Sequence, residues 1–418
     1  MNPVLVSIFS AVIAFGVSLW THPYILQLAK IKHITDDPNA RKLQDSPVPV
    51  MGGIVVGFAI LAGVLFARCF ISCTGILPAL LSGILMLNIG FIDDTISLSK
   101  RVRFGVEIIL SLLLIGNGFL IQDLHGLFGI HRISLAFAIP LTMLTTIGVI
   151  NAINLIDGVD GLCSGFCILA CSCFFVIFAT GGNWCWAILA LVSALASVPF
   201  LLHNVFGRET HIYFGDSGTL MMGTLLSCFI MEILRNSTFS AGLTARFPSL
   251  SLVALVMAIL AEPVTDCLRV MGWRMAKGLS PFHADRTHQH HLFIDARFSH
   301  PVTALTIILT DMLIILAWYV SWRLGASQGV QFLVVVLLSF GLFGGFYLWM
   351  SIGRKKNSRN YRRFVWLGIH SHFKRTGFWR RMRTAMPATR ESSRAVTSTM
   401  PPVRCRRGCP ACWPTRPP

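Results

Sequence analysis

Long apolar stretches alternate with short polar ones along most of this chain. Up to residue 350 there are eleven such stretches, each about as long as a helix that crosses the hydrocarbon core of a bilayer. They span roughly residues 3–20, 50–67, 76–92, 104–121, 135–153, 162–180, 184–202, 218–234, 249–271, 302–321 and 330–350. Since a helix satisfies its own backbone hydrogen bonds inside lipid, the pattern predicts an all-α, polytopic integral membrane protein with about eleven transmembrane helices.

The composition agrees with this prediction. The 418 residues are 54% hydrophobic but only 13% charged, whereas a soluble domain is about a quarter charged. The first stretch lacks both a basic leading segment and a clear small-residue cleavage site, so we interpret it as a retained helix. Nine of the twelve cysteines fall in or beside apolar stretches, where they are expected to behave as small hydrophobic side chains.

The Lys and Arg residues of the polytopic region divide unevenly between two alternating sets of loops. One set contains Lys30, Lys32, Arg41, Lys42, Lys100, Arg101, Arg103, Arg208, Arg274, Lys277, Arg286 and Arg297. The other contains Arg68, Arg132, Arg235, Arg246 and Arg323. Because basic loops stay in the cytoplasm, the first set is predicted to be cytoplasmic. An odd number of helices then places the N-terminus outside and the C-terminus inside.

The net charge of +17 belongs mainly to the end of the chain. From Ser351 onward there are 17 of the 35 basic residues and one of the 18 acids, Glu391. We therefore predict two regions: residues 1–350 form the polytopic domain with catalytic cytoplasmic loops, and residues 351–418 form a basic cytoplasmic tail. The tail is expected to lie against anionic lipid rather than to bind nucleic acid. Its Pro-, Arg- and Ser-rich composition predicts disorder from about residue 387.

Short acidic motifs stand at the ends of apolar stretches on the predicted cytoplasmic side. "GFIDD" carries Asp93 and Asp94, "NLIDGVDG" carries Asp157 and Asp160, and "YFGDSG" carries Asp216. Taken singly, each motif is also explained by turn formation, helix capping or a solvated loop. Their arrangement at stretch ends on one side predicts a single acidic cleft.

A histidine-rich loop lies on the same side. "SPFHADRTHQHHLF" contains Arg286, His288, His290 and His291. The spacing of the three histidines does not place all of them on one helix face, and no cysteine lies nearby in the loop. A loop that contacts phosphate is therefore favoured over a structural zinc site. Together with the acids, which suit a hard cation such as Mg²⁺, this indicates phosphoryl chemistry at the membrane surface.

Five motifs in order, "DDPNARKLQDSPVPVMGG", "GFIDD", "NAINLIDGVDG", "YFGDSG" and "KGLSPFHADRTHQHHLF", resemble those of the polyprenyl-phosphate N-acetylhexosamine-1-phosphate transferases. The resemblance covers roughly residues 20–350. It implies an enzyme of the bacterial inner membrane that transfers a sugar 1-phosphate from a UDP-N-acetylhexosamine to undecaprenyl phosphate and releases UMP. The histidine loop resembles the branch that uses UDP-N-acetylglucosamine for lipopolysaccharide, common antigen or teichoic-acid linkage.

The resemblance also implies roles for individual residues. Asp216 would be the main ligand of Mg²⁺ (or Mn²⁺), with Asp93 and Asp94 beside it, and Asp93 would deprotonate or orient the prenyl phosphate. The uridine pocket would be lined by Asn154, Asp157, Asp160 and Tyr213. The sugar diphosphate would be held by His288, His290, His291 and Arg286, with His290 in the catalytic set. Arg41 and Lys42 would be further phosphate contacts.

Two alternatives remain at this point. The peptidoglycan enzyme of the same family, phospho-N-acetylmuramoyl-pentapeptide transferase, differs in sugar substrate and typically has a run of adjacent histidines in this loop. A transporter would place acids deep within the membrane. Glu262, just before Pro263, and Asp311 lie mid-stretch without an evident partner, but the chain shows no internal repeat. The sequence leaves open the glycan pathway and whether two copies form a homodimer.

Overall fold

Helices form most of the chain that the structure describes. The computed structural model describes residues 2–36, 47–235, 237–280 and 287–356. Within these residues the helices are α1 (Pro3–Ile31), α2 (Gly52–Arg68), α3 (Leu77–Ile96), α4 (Lys100–Gly116), α5 (Leu135–Leu155), α6 (Leu162–Thr180), α7 (Trp184–Phe206), α8 (Gly215–Leu234), α9 (Thr238–Arg246), α10 (Leu252–Ile259), α11 (Ala261–Ala276), α12 (Gln289–Asp295), α13 (His300–Arg323) and α14 (Gln328–Lys356).

Eight of these helices are long and apolar enough to cross a membrane. They are α1, α3 with the 3₁₀ turn that precedes it (Thr74–Ile76), α5, α6, α7, α8, α13 and α14. Each coincides with one of the predicted apolar stretches. The protein is therefore an all-α, multi-pass membrane protein.

Three of the predicted stretches, the second, fourth and ninth, are not among these eight long helices. The second stretch is α2, an apolar helix of 17 residues. The fourth begins earlier than predicted, because Ser99 caps α4 by accepting a hydrogen bond from the Val102 N–H at 3.3 Å, and its helix ends at Gly116.

The ninth stretch, predicted as one helix over 249–271, is divided between α10 and α11. Pro263 near the start of α11 cannot donate to the carbonyl of Ile259, and its ring clashes with that carbonyl in a continuous helix. Asp311, which had no evident partner in the sequence, accepts a hydrogen bond from the Glu262 N–H at 3.0 Å. The buried acid on α13 thus caps the break.

Two short antiparallel strand pairs were not predicted. Strands β1 (Thr35–Asp36) and β2 (Val48–Pro49) pair near the end of α1, and β3 (Asp123–Leu127) pairs with β4 (Ile130–Arg132) after α4. Val50, next to β2, bridges to Tyr213 just before α8. This bridge fixes the end of β2 beside the start of α8.

Helix α8 lies at the centre of the bundle and is buried from Ser217 to Leu234. It packs against α3, α5 and α2. Glycines permit the closest approaches, since a side chain at Gly90 would overlap the carbonyl of Asp216 and one at Gly53 would overlap the backbone of Gly218. The packing fixes the start of α8 against the end of α3.

Candidate active site

A cleft of about 450 Å³ opens at one end of the bundle, where α3 and α5 end and α8 begins. The structure brings eight of the predicted site residues to its wall. These are Asp93, Asp94, Asn154, Asp157, Asp160, Tyr213, Asp216 and His291. The three acidic motifs, which are far apart in the sequence, therefore share one cavity.

Arg103 joins the carboxylates of Asp93 and Asp216, which are neighbours in the wall of the cleft. Its Nη1 lies 3.3 Å from an oxygen of Asp93 and 3.3 Å from an oxygen of Asp216. Its Nη2 donates to Oδ1 of Asn154 at 3.2 Å, and Nδ2 of Asn154 donates to Asp216 at 2.5 Å and to Thr219 at 2.9 Å. A permanent positive charge is thus held between two acids and an amide.

Asp94 has a different environment from Asp93. Its two carboxylate oxygens accept the backbone N–H groups of Asp216 at 2.8 Å and Ser217 at 3.0 Å. These are free donors of the first turn of α8, at the positive end of the helix dipole. Asp94 therefore caps α8 and orients the backbone that carries Asp216, while Asp93 and Asp216 contact Arg103.

Asp160 is held by two histidines. Nδ1 of His300 lies 2.8 Å from one carboxylate oxygen, and Nε2 of His211 lies 3.4 Å from the other. Burial alone would raise the pKa of Asp160, but the contacts with His211 and His300 outweigh it and lower the pKa to about 2. The His211 ring also meets the Tyr213 ring edge to face, with centroids 5.3 Å apart. These contacts fix the wall where Asp160 and Tyr213 lie.

Asp157 is open to the water of the cleft, although protein surrounds the cleft on several sides. This enclosure, together with the negative charges of Asp216, Asp160 and Asp94, raises the pKa of Asp157 to about 8. The concentration of negative charge means that the cleft favours cations.

The three histidines of the loop face different surroundings. His288 is buried, and its Nδ1 lies 2.8 Å from Asp266, which also accepts from Arg269 at 2.6 Å. His290 is buried against Gly158, where a side chain would overlap its ring. Only His291 among the three lines the cleft. That all three contact the sugar diphosphate stays a prediction, and His288 in addition pairs with Asp266.

The described residues contain no group of three or more His, Cys, Asp and Glu side chains arranged to hold a metal ion. Mg²⁺ in phosphoryl-transfer sites is bound through one or two carboxylates, with waters and substrate phosphates completing the octahedron. Asp93 and Asp216 supply two carboxylates of the required kind. The donor set therefore fits a magnesium ion shared with a phosphate ligand.

Arg103, His211 and His300 were missed by the sequence analysis. A signal existed for Arg103, because only residues 97–99 separate α3 from α4, so the first turn of α4 must lie beside Asp93. No comparable signal existed for His300, which is 140 residues from Asp160. Arg41, Lys42 and Arg286, and the predicted tail beyond residue 356, lie outside the described residues.

Comparison with known proteins identifies the class. Residues 76–234 match the family model described as glycosyl transferase family 4. The decaprenyl-phosphate N-acetylglucosaminephosphotransferase of Mycobacterium tuberculosis (strain CDC 1551 / Oshkosh) is 30% identical over 298 residues, 65% of this chain and 72% of that protein. The chain therefore belongs to glycosyl transferase family 4.

Two further relatives match more of the chain. The undecaprenyl-phosphate alpha-N-acetylglucosaminyl 1-phosphate transferase of Escherichia coli (strain K12) is 28% identical over 76% of this chain and 84% of its own length. A probable undecaprenyl-phosphate N-acetylglucosaminyl 1-phosphate transferase of Bacillus subtilis (strain 168) is 28% identical over 71% of this chain and 81% of its own length. The segment matched by the family model includes every described acid of the cleft except Asp36.

Proposed function

We propose that the protein transfers N-acetylglucosamine 1-phosphate from UDP-N-acetylglucosamine to undecaprenyl phosphate. In this reaction an oxygen of the prenyl phosphate attacks the β-phosphorus of the nucleotide sugar, the bond to the α-phosphate oxygen breaks, and UMP leaves. The observation that carries the proposal is the pair of carboxylates, Asp93 and Asp216, that Arg103 bridges at the end of the bundle where the cleft opens. The printed names of the relatives, which are N-acetylglucosamine 1-phosphate transferases acting on prenyl phosphates, support the same reaction.

Charge explains the arrangement around Arg103. Two anionic reactants must approach each other, and catalysis of phosphoryl transfer depends mainly on positioning and charge neutralisation. Asp93 and Asp216 would hold Mg²⁺ (or Mn²⁺), which when bound neutralises phosphate charge. Arg103 supplies a fixed guanidinium beside these two carboxylates, and Asp93 orients or deprotonates the prenyl phosphate.

The opposite wall suits the nucleotide. Tyr213 offers an aromatic face to uracil, and Asn154, Asp157 and Asp160 offer hydrogen-bonding groups to the uridine. The contacts of Asp160 with His211 and His300 keep its carboxylate charged and oriented. His291 faces the diphosphate from the histidine loop, with Arg286, Arg41 and Lys42 as further phosphate contacts and His290 behind it.

The proposed orientation follows from the location of the cleft. Arg103 and the described basic residues Lys30 and Arg208 stand at the end of the bundle where the cleft opens, and basic loops remain in the cytoplasm. The nucleotide sugar would enter there from the cytoplasm, and the prenyl phosphate would enter from the surrounding bilayer. This arrangement fits an enzyme of the bacterial inner membrane that starts a cell-envelope glycan.

The proposal is tested with the full-length protein in detergent. With Mg²⁺, undecaprenyl phosphate and UDP-N-acetylglucosamine, it should release UMP and form a lipid-linked sugar diphosphate, measured by chromatography of both products. UDP-N-acetylgalactosamine and UDP-N-acetylmuramoyl-pentapeptide are run in parallel. Turnover of the pentapeptide donor alone would assign the protein to the peptidoglycan reaction, and release of UMP from none of the three would refute the enzyme activity.

A further inference from the structure

Two cysteine side chains meet at the end of the bundle that is remote from the cleft. Cys73 immediately precedes the 3₁₀ turn that leads into α3, and Cys185 is the second residue of α7. Sγ of Cys185 donates a hydrogen bond to the carbonyl of Ser72 at 3.3 Å, and the Cys73 and Cys185 thiols are hydrogen-bond partners. The Cys185 sulfur therefore lies beside the backbone that leads directly into Cys73, although about 110 residues separate the two cysteines in the chain.

The helices that start beside these cysteines end at the cleft. Helix α3 has 20 residues and leads to Asp93 and Asp94, and α7 has 23 residues and leads to Asn204. At 1.5 Å per residue these helices are about 30 and 35 Å long, which matches the thickness of the hydrocarbon core. The cysteine pair and the cleft therefore lie at opposite faces of the membrane.

The side of the membrane on which the two cysteines lie decides whether they can form a disulfide. The proposed function places the cleft in the cytoplasm, and the inference rests on that orientation. The cysteines then face the compartment outside the cytoplasm, where disulfides form and persist. We propose that Cys73 and Cys185 form a disulfide bond that joins the connection between α2 and α3 to the start of α7.

The reaction requires a disulfide-bearing thiol oxidant of that compartment. Cys185 is partly exposed, whereas Cys73 is buried with 1% of its surface accessible, so Cys185 reacts first. Its thiolate attacks a sulfur of the oxidant's disulfide and forms a mixed disulfide. The Cys73 thiolate then attacks the sulfur of Cys185, the oxidant leaves as a dithiol, and the two protons of the cysteines are transferred to it.

Other cysteines of the chain differ from Cys73 and Cys185 in their neighbours or in their side of the membrane. Cys69 lies at the same end of the bundle but is exposed and donates to the carbonyl of Leu65 within its own helical turn. Cys163 and Cys167 interact as thiols in α6, but they lie in the half of that helix nearest the cleft. Among the described residues the Cys69 thiol bonds to a backbone carbonyl and to no other thiol, and the proposed orientation puts the α6 pair on the cytoplasmic side, so all three are expected to remain reduced.

The test uses full-length protein in its native membrane. Cells are lysed in N-ethylmaleimide to block free thiols, and the protein is digested without reductant and analysed by mass spectrometry. The expected result is a peptide that links Cys73 to Cys185 and separates on reduction. The link should be absent from the Cys73→Ser and Cys185→Ser variants and retained in Cys69→Ser. Reduction should expose two additional maleimide-reactive thiols in the wild type and none in Cys73→Ser.

Orientation is measured separately by labelling Cys69 in intact cells with a membrane-impermeant maleimide. If Cys69 is labelled from outside while Cys73 and Cys185 both carry N-ethylmaleimide, the disulfide is refuted. If Cys69 is labelled only after the cells are permeabilised, the inference is also overturned, because Cys73 and Cys185 would then face the cytoplasm. A linked peptide in protein that releases no UMP would retain the disulfide and refute the proposed function.

Discussion

A single side chain, Arg103, contacts Asp93, Asp216 and Asn154. A guanidinium carries a delocalised positive charge and presents several N–H donors in one plane. Its planar fork also reaches acceptors in two directions at once. At the residue scale, the site is therefore organised around a cation as much as around its acids.

Replacing Arg103 with Ala should lower kcat by about 10²–10³, the usual cost of removing one fixed donor from developing transition-state charge. Arg103→Lys should fall between the Ala variant and the wild type, because the charge remains but the fork is lost. UMP release measures both. Arg101→Ala is the matched control, since Arg101 is exposed two residues earlier on the same helix. Equal activity of the Arg103→Ala and Arg101→Ala variants would contradict the role given to Arg103.

Asp216 and Asp94 should respond differently to substitution. Asp216→Asn removes a charged ligand and should cut turnover by orders of magnitude with little change in melting temperature.

Asp94→Ala removes the acceptor of two N–H groups at the start of α8, so it should lower the free energy of unfolding by about 1–2 kcal/mol. Melting curves in detergent and Mg²⁺ titrations of activity separate the two effects. An unchanged melting temperature for Asp94→Ala would argue against the cap.

At the scale of secondary-structure elements, the break between α10 and α11 affects how the histidine loop is held. Asp266 lies one helical turn after Glu262 on α11 and binds His288, Arg269 and the Gln289 N–H. Arg269 also donates to the carbonyl of Thr287 at 2.7 Å. Through these contacts α11 fixes the start of α12, whose third residue, His291, faces the cleft.

Asp266→Ala should therefore destabilise the loop as well as the fold. Removing one partner of a buried ion pair leaves the other uncompensated, at a cost of about 3–5 kcal/mol. The expected result is a lower melting temperature and faster proteolytic cleavage near residues 278–290, measured by mass spectrometry of the fragments. Glu209→Ala, an exposed acid, is the control. Cleavage at the same rate in both variants would show that Asp266 does not hold the loop.

The sequence predicted the elements better than their contacts. Hydropathy found the eight long helices because each is continuous and apolar, and loop charge indicated that the acidic motifs share one side. It did not find the break near Pro263, because the apolar residues of α10 continue through Leu260 and Ala261 into the start of α11. It also could not pair Asp160 with His300, since that contact exists only after α6 and α13 have packed.

At the scale of the whole molecule, the cleft carries far more negative than positive charge. Its wall includes six acidic side chains, of which Asp157 is mainly protonated near neutral pH: Asp36, Asp93, Asp94, Asp157, Asp160 and Asp216. Both proposed reactants are anions, so their binding requires cations to enter with them. We therefore expect the site to be complete only when a metal ion and substrate are bound together.

Removal of divalent cations should accordingly abolish activity and weaken nucleotide binding. Treatment with EDTA is expected to stop UMP release, and Mg²⁺ or Mn²⁺ in excess should restore it. Isothermal titration of UDP-N-acetylglucosamine with and without Mg²⁺ should show at least about tenfold tighter binding with the ion, equivalent to about 1.4 kcal/mol. Full activity in EDTA would contradict a metal-dependent reaction.

The burial of α8 on every side limits how an inhibitor can reach the chemistry. A hydrophobic compound dissolved in the bilayer can contact α1 or α14, whose apolar side chains are largely exposed. It cannot contact α8 laterally, because protein covers that helix from Ser217 to Leu234. Compounds directed at Asp216 must therefore enter through the cleft, by the route of the nucleotide sugar or of the prenyl phosphate, and not between the helices that cover α8.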